Sequence, residues 1–139
     1  MSRLVEAARK YLDVPFRHRG RSARAMDCAG LGVLAFADCG VALPDIKHYG
    51  REPHDDRLMQ ALIAALGEPV GHGPLAEVQT GDVVVINYNG EPHHVGIIGE
   101  TPYGAPSLIH ADSRVGKVVE HRFDAVWRAR MSAVFRRHV

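Results

Sequence analysis

One cysteine and two histidines are candidates for a nucleophile with its base. Cys28 follows Asp27 in the segment AMDCAGLG, and His94 and His110 lie in two apolar segments further along the chain. A cysteine nucleophile needs a base, usually a histidine that a third polar group holds in place. Cysteine is also among the most often buried residue types, so the segment DCAGLG alone favours a structural thiol. A catalytic interpretation therefore requires a fold that brings the three side chains together.

The sequence around Cys28 predicts a helix that begins at this residue. Asp27 is a favoured N-cap residue, and Gly40 follows the apolar run over 28–39. Cys28 would then lie in the first helical turn, where free backbone N–H groups and the helix dipole favour an anion. That environment lowers a thiol pKa. Gly30 removes bulk near the sulfur, and we expect it to let a substrate backbone approach.

Both histidines lie in predicted strands. If the segments 94–98 and 107–111 pair in antiparallel fashion, the side chains of His94 and His110 can lie on one face of a sheet. Gly96 shares the face of His94 and is expected to leave open space beside the imidazole. Each histidine alone is more often a structural residue than a functional one. The order of a cysteine on a helix followed by two histidines on a sheet carries more weight than any one of them.

The elements that must position these residues fall into two halves. Helical periodicity predicts helices over 3–12, 28–39 and 55–66. Strands are predicted over 82–88, 94–98, 107–111 and 117–123, with 132–139 as a candidate last strand and Asn89-Gly90 as a hairpin turn. Helices followed by an antiparallel sheet predict one α+β domain over residues 1–139.

The bulk composition excludes several classes of function. The 139 residues are 46% hydrophobic with a net charge of +1, which is typical of one soluble domain and gives no strong field for nucleic acid. Two short basic segments, RHRGRSAR and FRRHV, are typical of a solvated rim. The N-terminus lacks the apolar segment of a signal peptide, and no window resembles a membrane span. We therefore expect synthesis in the cytoplasm without an export signal, and no nucleic-acid or membrane partner.

The two cysteines do not predict a disulfide. If residues 28–39 form one helix, the Cα atoms of Cys28 and Cys39 are roughly 16 Å apart, whereas a disulfide needs about 4.4 to 6.8 Å. The chain has nine histidines but neither a CxxC nor an HExxH motif, so we expect no metal and no cofactor. The remaining aromatic and imidazole side chains are assigned to solvated surface (His48, His54, His72, His121, His138) or to the core (Trp127, Phe135).

Several segments together resemble a known family. VPFRHRGRSARAMDCAGLG, LAEVQTGDVVV, HHVGIIGE and SLIHA look like the NlpC-type cell-wall cysteine peptidases, a papain-like superfamily. The resemblance runs from about residue 5 to the C-terminus, and DCAGL, HVGI and IHA in this order are more specific together than any one alone. The tail VVEHRFDAVWRARMSAVFR and the missing signal peptide look most like the phage tail-tip branch.

The resemblance implies roles for the candidate residues. Cys28 matches the nucleophile, His94 the general base and His110 the residue that orients the imidazole, while Asp27 matches the aspartate before the nucleophile. The implied fold is a helical part, with the nucleophile at a helix N-terminus, packed on an antiparallel sheet. The implied reaction cleaves a peptidoglycan stem peptide, usually at the γ-D-glutamyl–diaminopimelate bond, through a thioester and without metal.

The sequence also departs from the family pattern. Phe16 stands near the place of a common tyrosine and lacks its hydroxyl, His18 replaces a common tryptophan, and Ala29 replaces a common serine. Phe16, Arg17 and Asp27 are the predicted substrate-binding residues, and the first departure bears on how substrate is held.

Three functions remain open at this point. The first is the peptidoglycan endopeptidase, with stem peptides as substrate and phage tail proteins as candidate partners, located in a virion tail or delivered to the cell wall. The second keeps the three candidate residues but is an amidase or acyltransferase on another substrate, since papain-like chemistry does not fix the acyl group. The third is a tail-assembly component with little or no catalytic activity.

Overall fold

The structure shows an α+β arrangement, as the sequence predicts. The computed structural model describes residues 2–44, 57–88 and 91–139, with the backbone alone at 57, 88 and 91–93. The helices in this part are α1 (Arg3–Arg9), α2 (Cys28–Asp38), α3 (Arg57–Leu66) and α4 (Ala125–Arg128). The strands are β1 (Arg21–Ser22), β2 (Ala25–Met26), β3 (Gly71–His72), β4 (Val83–Tyr88), β5 (Glu91–Glu100), β6 (Pro106–Asp112), β7 (Lys117–Arg122) and β8 (Met131–Phe135).

An antiparallel sheet forms the second half of the chain. Its strand order is β3-β8-β4-β5-β6-β7, while β1 and β2 form a separate two-stranded ribbon. The predicted strands over 82–88, 94–98, 107–111 and 117–123 are confirmed as β4 to β7. The candidate last strand is β8, which ends at Phe135. The predicted Asn89-Gly90 turn lies outside the described residues.

The sheet is buried on both faces. One face packs on α1, α2 and α3 through a helix-side cluster that includes Leu4, Phe36, Val85, Ile97 and Phe135. The opposite face carries a far-side cluster with Trp127 packed against it (Val84, Ile86, Ile98, Leu108, Phe123, Met131, Val134). Alternate residues of β4 therefore enter different clusters, which is why this strand is apolar throughout. Phe135 belongs to the core as predicted.

The first helix ends earlier than the periodicity predicts, whereas the third ends at residue 66 as predicted. α1 stops at Arg9 rather than at residue 12, because the next residues form tighter turns, with Tyr11 N–H donating to Ala8 O at 3.0 Å. Asp13 then takes a positive φ of 72°, and its N–H donates to the carbonyl of Val118 in β7. α3 ends before Gly67, whose φ is 86°. The predicted start of α3 at residues 55–56 lies outside the described residues.

Of the two edge strands of the sheet, β3 is short and β7 is covered on its outer side. β3 is two residues long. Along β7, the N–H of Val118 donates to Val14 O at 2.9 Å and the N–H of Phe16 donates to Gly116 O at 2.8 Å. Pro15 forms an isolated bridge with Lys117 between these two bonds. The segment that follows α1 therefore lies along the outer side of β7.

Candidate active site

α2 begins at Cys28 because Asp27 caps it. Asp27 has extended backbone angles (φ −103°, ψ −171°), and its Oδ1 accepts a hydrogen bond from the N–H of Gly30 at 2.8 Å. This satisfies one of the free N–H groups of the first turn. Cys28 thus lies in the first turn of the helix, as the sequence predicts.

The same carboxylate fastens the preceding loop to the helix. Arg21 Nη1 lies 2.7 Å from Asp27 Oδ1, and the backbone N–H of Arg19 donates to Oδ2 at 2.8 Å. Asp27 is 2% exposed. Its side chain therefore fixes the start of α2 relative to residues 19–21, with both oxygens engaged by the protein itself.

Gly30 serves packing rather than substrate approach. A Cβ at this position would collide with the carbonyl oxygen of Gly20 and lie 3.2 Å from the Cβ of Met26. The expectation that Gly30 admits a substrate backbone is therefore wrong, because the chain's own loop occupies that space.

The thiol of Cys28 is protonated in the free protein. Its pKa is raised from 9.0 to about 12, first by burial and then by the neighbouring charge of Asp27, while the backbone N–H groups of Val95 and Ala29 and the charge of Arg21 act in the opposite direction. Cys28 also lines an apolar cavity between α2, α3 and β5, together with Leu62. The expected lowering of the thiol pKa is thus wrong, because desolvation and the capping carboxylate outweigh the helix N-terminus.

His94 begins the regular part of β5 and precedes Val95, which contacts the sulfur of Cys28. It pairs with Ile86 of β4 and is 7% exposed. Val95, the next residue, directs its backbone N–H at the Cys28 thiol. The register shifts between Ile86 and Asn87, so that His93 is an extra residue of β5 at this point. The side chain of His93 lies outside the described residues.

His110 holds the other end of the His94 ring. His94 Nε2 and His110 Nδ1 are 2.7 Å apart, with the two rings edge to face at an angle of 84°. His110 is fully buried on β6. Burial, and the charges that His94 and His121 would carry, lower the pKa of His110 from 6.5 to about 3, against a smaller opposite effect of Asp112. His110 is therefore neutral near pH 7, and the expected pairing of the two histidines is confirmed.

A third histidine extends this pair. His110 Nε2 lies 2.8 Å from His121 Nε2, and His121 Nδ1–H donates to the carbonyl oxygen of Arg122 at 2.9 Å. Trp127 covers both rings, with centroids 5.0 Å from His110 and 4.9 Å from His121. The assignment of His121 to solvated surface is wrong. His121 pairs with Leu108 across β6 and β7, on the face that His110 shares, and this alternation was the available signal.

The other predicted surface histidines differ in outcome. His72 and His138 are exposed, as expected. His48 and His54 lie outside the described residues. Trp127 is half-buried against the far-side cluster, which agrees with its assignment to the core.

Gly96 does not leave open space beside His94. A Cβ at Gly96 would come within 2.5 Å of the Leu108 Cδ1 atom and 3.3 Å of the carbonyl oxygen of Ile109. The expected opening is therefore filled by a side chain of the adjacent strand β6.

Phe16 and Arg17 lie beside the strand that leads to Cys28. Phe16 forms a bridge with Met26 and packs against the helix-side cluster, while the backbone N–H of Arg17 donates to Met26 O at 3.1 Å. The side chain of Arg17 is exposed. Both residues are thus close in the fold to Asp27 and Cys28.

The remaining chemistry of the described residues is limited. Cys28 and Cys39 are free thiols at the two ends of α2. Within 2–44, 57–88 and 91–139, no group of three or more His, Cys, Asp or Glu side chains could hold a metal ion. In the same ranges, every helix is too short or too polar to cross a lipid bilayer.

Helices packed on an antiparallel sheet, with a cysteine starting one helix and paired histidines on the strands, define the papain-like fold class. The sequence matches the NlpC/P60 family over residues 13–136. The chain belongs to the NlpC/P60 family, which confirms the resemblance seen in its motifs.

Individual relatives agree with this membership. A protein of Corynebacterium glutamicum described as a probable endopeptidase is 31% identical over 121 residues, which cover 87% of this chain and 47% of that protein. The chain thus spans about half the length of the curated relatives it matches.

Solved structures share the fold at low identity. The NlpC/P60 domain of the peptidoglycan hydrolase SagA superposes with a TM-score of 0.63 at 17% identity, covering 97% of each chain. An N-acetylmuramoyl-L-alanine amidase of Bacteroides uniformis gives a TM-score of 0.60 at 15% identity, covering 96% of this chain and 95% of that one. Such likenesses establish the papain-like fold.

Proposed function

We propose that this protein is a peptidoglycan endopeptidase that cleaves a stem-peptide amide through a thioester on Cys28. The observation that carries the proposal is the placement of the Cys28 thiol against the N–H of Val95, one residue from the hydrogen-bonded pair of His94 and His110. Family membership and the probable endopeptidase among the relatives support the same reaction class.

In the proposed first half-reaction, Cys28 Sγ attacks the amide carbonyl carbon while His94 Nδ1 takes the thiol proton. Because the thiol pKa is raised to about 12, this proton leaves as the C–S bond forms rather than beforehand. The backbone N–H of Cys28, in the first turn of α2, is the proposed donor to the oxyanion. The C–N bond then breaks as His94 returns the proton to the leaving amine, and the acyl group stays on sulfur.

In the second half-reaction, His94 takes a proton from water as the water oxygen attacks the thioester. The C–S bond breaks, the carboxylic acid leaves, and the proton returns to sulfur. His110 keeps the His94 ring in place through both halves by the 2.7 Å contact at Nε2.

We propose the γ-D-glutamyl–diaminopimelate bond as the site of cleavage. The two amino acids at this bond carry free carboxylates, and the exposed Arg17 lies near the start of α2 where it can pair with one of them. Phe16 supplies an apolar contact without a hydroxyl. Asp27, whose oxygens are engaged by Arg21, Arg19 and Gly30, contributes by shaping the start of α2.

Digestion of purified sacculi followed by mass analysis of the products tests this function. The wild type and Cys39→Ala, the matched control at the other end of α2, should release peptides with a new amino terminus at diaminopimelate, and Cys28→Ala should release none. Products cut between muramic acid and L-alanine would indicate an amidase instead. Equal activity of Cys28→Ala and the wild type would refute the proposed nucleophile.

We also propose a phage or prophage tail setting for this activity, on the sequence resemblance of the C-terminal segment. Mass spectrometry of purified virions from a host that carries this sequence should detect the chain among the tail proteins. If it is detected there but the sacculus digest yields no product, the tail-assembly function takes the place of the endopeptidase.

A further inference from the structure

The three histidines form one hydrogen-bonded chain that ends on a backbone carbonyl. From the sheet centre outward, His94 Nε2 contacts His110 Nδ1 at 2.7 Å, His110 Nε2 contacts His121 Nε2 at 2.8 Å, and His121 Nδ1 contacts Arg122 O at 2.9 Å. A carbonyl oxygen can only accept a hydrogen bond, so the last contact has one possible direction.

This last contact determines which nitrogen of each of the three histidine rings carries the proton when the rings are neutral. His121 must carry its proton on Nδ1, so its Nε2 has a lone pair and accepts from His110 Nε2–H. His110 then has no proton on Nδ1, which accepts from His94 Nε2–H. His94 in turn has no proton on Nδ1, and this is the state in which a histidine can take a proton from a thiol.

We propose that His121 is a positioning residue that, held by the Arg122 carbonyl, sets the tautomer of His110 and through it the tautomer of His94. Its catalytic meaning depends on the proposed function, in which His94 Nδ1 is the base. The tautomers themselves are a property of the protein without substrate.

The surroundings of the chain support this assignment. His110 has no exposure, and its pKa of about 3 keeps it neutral, so it can neither donate from both nitrogens nor leave one unpaired without cost. Trp127 lies against His110 and His121 and limits their rotation. When His94 takes the thiol proton, it becomes an imidazolium whose Nε2–H still donates to neutral His110. The positive charge therefore stays on His94, and no proton passes on to His110.

Nitrogen-15 NMR of the imidazole rings in the intact protein without substrate tests the tautomers directly. At about pH 8, His121 should show a protonated Nδ1, and His110 and His94 should each show a protonated Nε2. A protonated Nδ1 in neutral His94, or an unprotonated Nδ1 in His121, would overturn the proposal. This measurement needs no catalysis, so it is decided separately from the proposed function.

Two variants separate hydrogen bonding from packing. His121→Gln loses the ring but keeps an acceptor for His110 and a donor for the Arg122 carbonyl, whereas His121→Phe keeps a ring against Trp127 and loses the acceptor. We expect His121→Phe to disturb the tautomers of His110 and His94 and to lower kcat on the order of 10- to 100-fold with little change in KM. His121→Gln should retain both the tautomers and most of kcat, as should the exposed control His138→Phe.

The opposite order would overturn the proposal. If His121→Phe keeps the tautomers and activity while His121→Gln loses them, His121 acts by packing alone. If both variants keep the wild-type tautomers, the Arg122 carbonyl does not control the chain of histidines.

Discussion

The carboxylate of Asp27 caps the helix that begins at Cys28 and also raises the pKa of that thiol. Its Oδ1 accepts from the N–H of Gly30 at 2.8 Å, and its charge, after burial, is the second cause of the raised pKa. The residue that starts the helix therefore opposes the anion that a helix N-terminus would otherwise favour. In the free protein the Cys28 thiol is therefore neutral, and the proposed attack on substrate requires a base.

Alkylation of Cys28 by iodoacetamide should accelerate about tenfold per pH unit from about pH 6 to about pH 9, because the thiolate fraction grows tenfold per unit below a pKa of about 12. Cys39, which is 9% exposed, should react more slowly at every pH. Peptide mapping after timed labelling measures both thiols. A rate that levels off near neutral pH would contradict the neutral thiol.

Asp27→Asn should make Cys28 more reactive. Asparagine keeps an oxygen for the helix cap but removes the negative charge beside the thiol, so the alkylation profile should move to lower pH, with rates up to about tenfold higher at a given pH. Asp38→Asn, an exposed change at the far end of the same helix, is the matched control and should leave the profile in place. Thermal melting checks the fold, and unchanged alkylation of a folded Asp27→Asn would exclude the charge effect.

His94→Ala should lose on the order of 10² to 10⁴ in rate on a defined stem peptide, whereas His93→Ala should stay within a few-fold of wild type. His94 pairs regularly with Ile86 and its Nε2 is held by His110, while His93 falls at the register shift. Circular dichroism controls for the fold. The reverse result would mean that His93, and not His94, is the base.

Acid should destabilise the protein through His110. The unfolded chain binds a proton at this side chain below about pH 6.5, but the folded chain binds it only near pH 3, so stability falls as the pH decreases between these values. Between pH 7.5 and pH 5 the free energy of unfolding should fall by about 2 kcal/mol more in the wild type than in His110→Gln. Urea unfolding at both pH values measures this difference. Equal pH dependence in the two proteins would show that His110 titrates normally.

Gly30→Ala should destabilise the fold by about 2 kcal/mol, because the new Cβ would collide with the Gly20 carbonyl. Gly32→Ala, two residues further along the same helix, meets no described atom within 4 Å and should gain about 0.5 to 1 kcal/mol from helix propensity. Urea denaturation compares the two variants. If both changes stabilise the protein, the Gly20 carbonyl does not lie in close contact with Gly30.

Local signals predicted much of this fold from sequence. Asp27 and Gly40 bracket α2 because capping and positive φ are properties of single residues and their neighbours. The core strands β4 to β7 were predictable because alternation and apolar runs act over a few residues. Antiparallel pairing of the two strands was enough to predict that His94 and His110 can lie on one face of the sheet.

The remaining features depend on contacts between distant segments. The ribbon of β1 and β2, the short β3 and the one-turn α4 are too brief to produce a periodic pattern. Gly96 faces Leu108, and the thiol pKa depends on burial of the sulfur and on the backbone N–H of Val95. These contacts join residues that are far apart in the sequence, so local patterns do not reveal them. His121 was missed because its partners lie on another strand and on the backbone of Arg122.

The short edge strand β3 and the covered outer side of β7 have a consequence for the behaviour of the protein at high concentration. An exposed, long edge strand is a template for pairing with a second molecule and for aggregation. Here one edge is two residues long, and Val14 and Phe16 occupy hydrogen-bonding positions along the other. Sheet-to-sheet association of separate molecules is therefore disfavoured. The side of Pro15 that faces away from β7 is itself occupied, because the N–H of Met26 donates to Pro15 O at 3.0 Å.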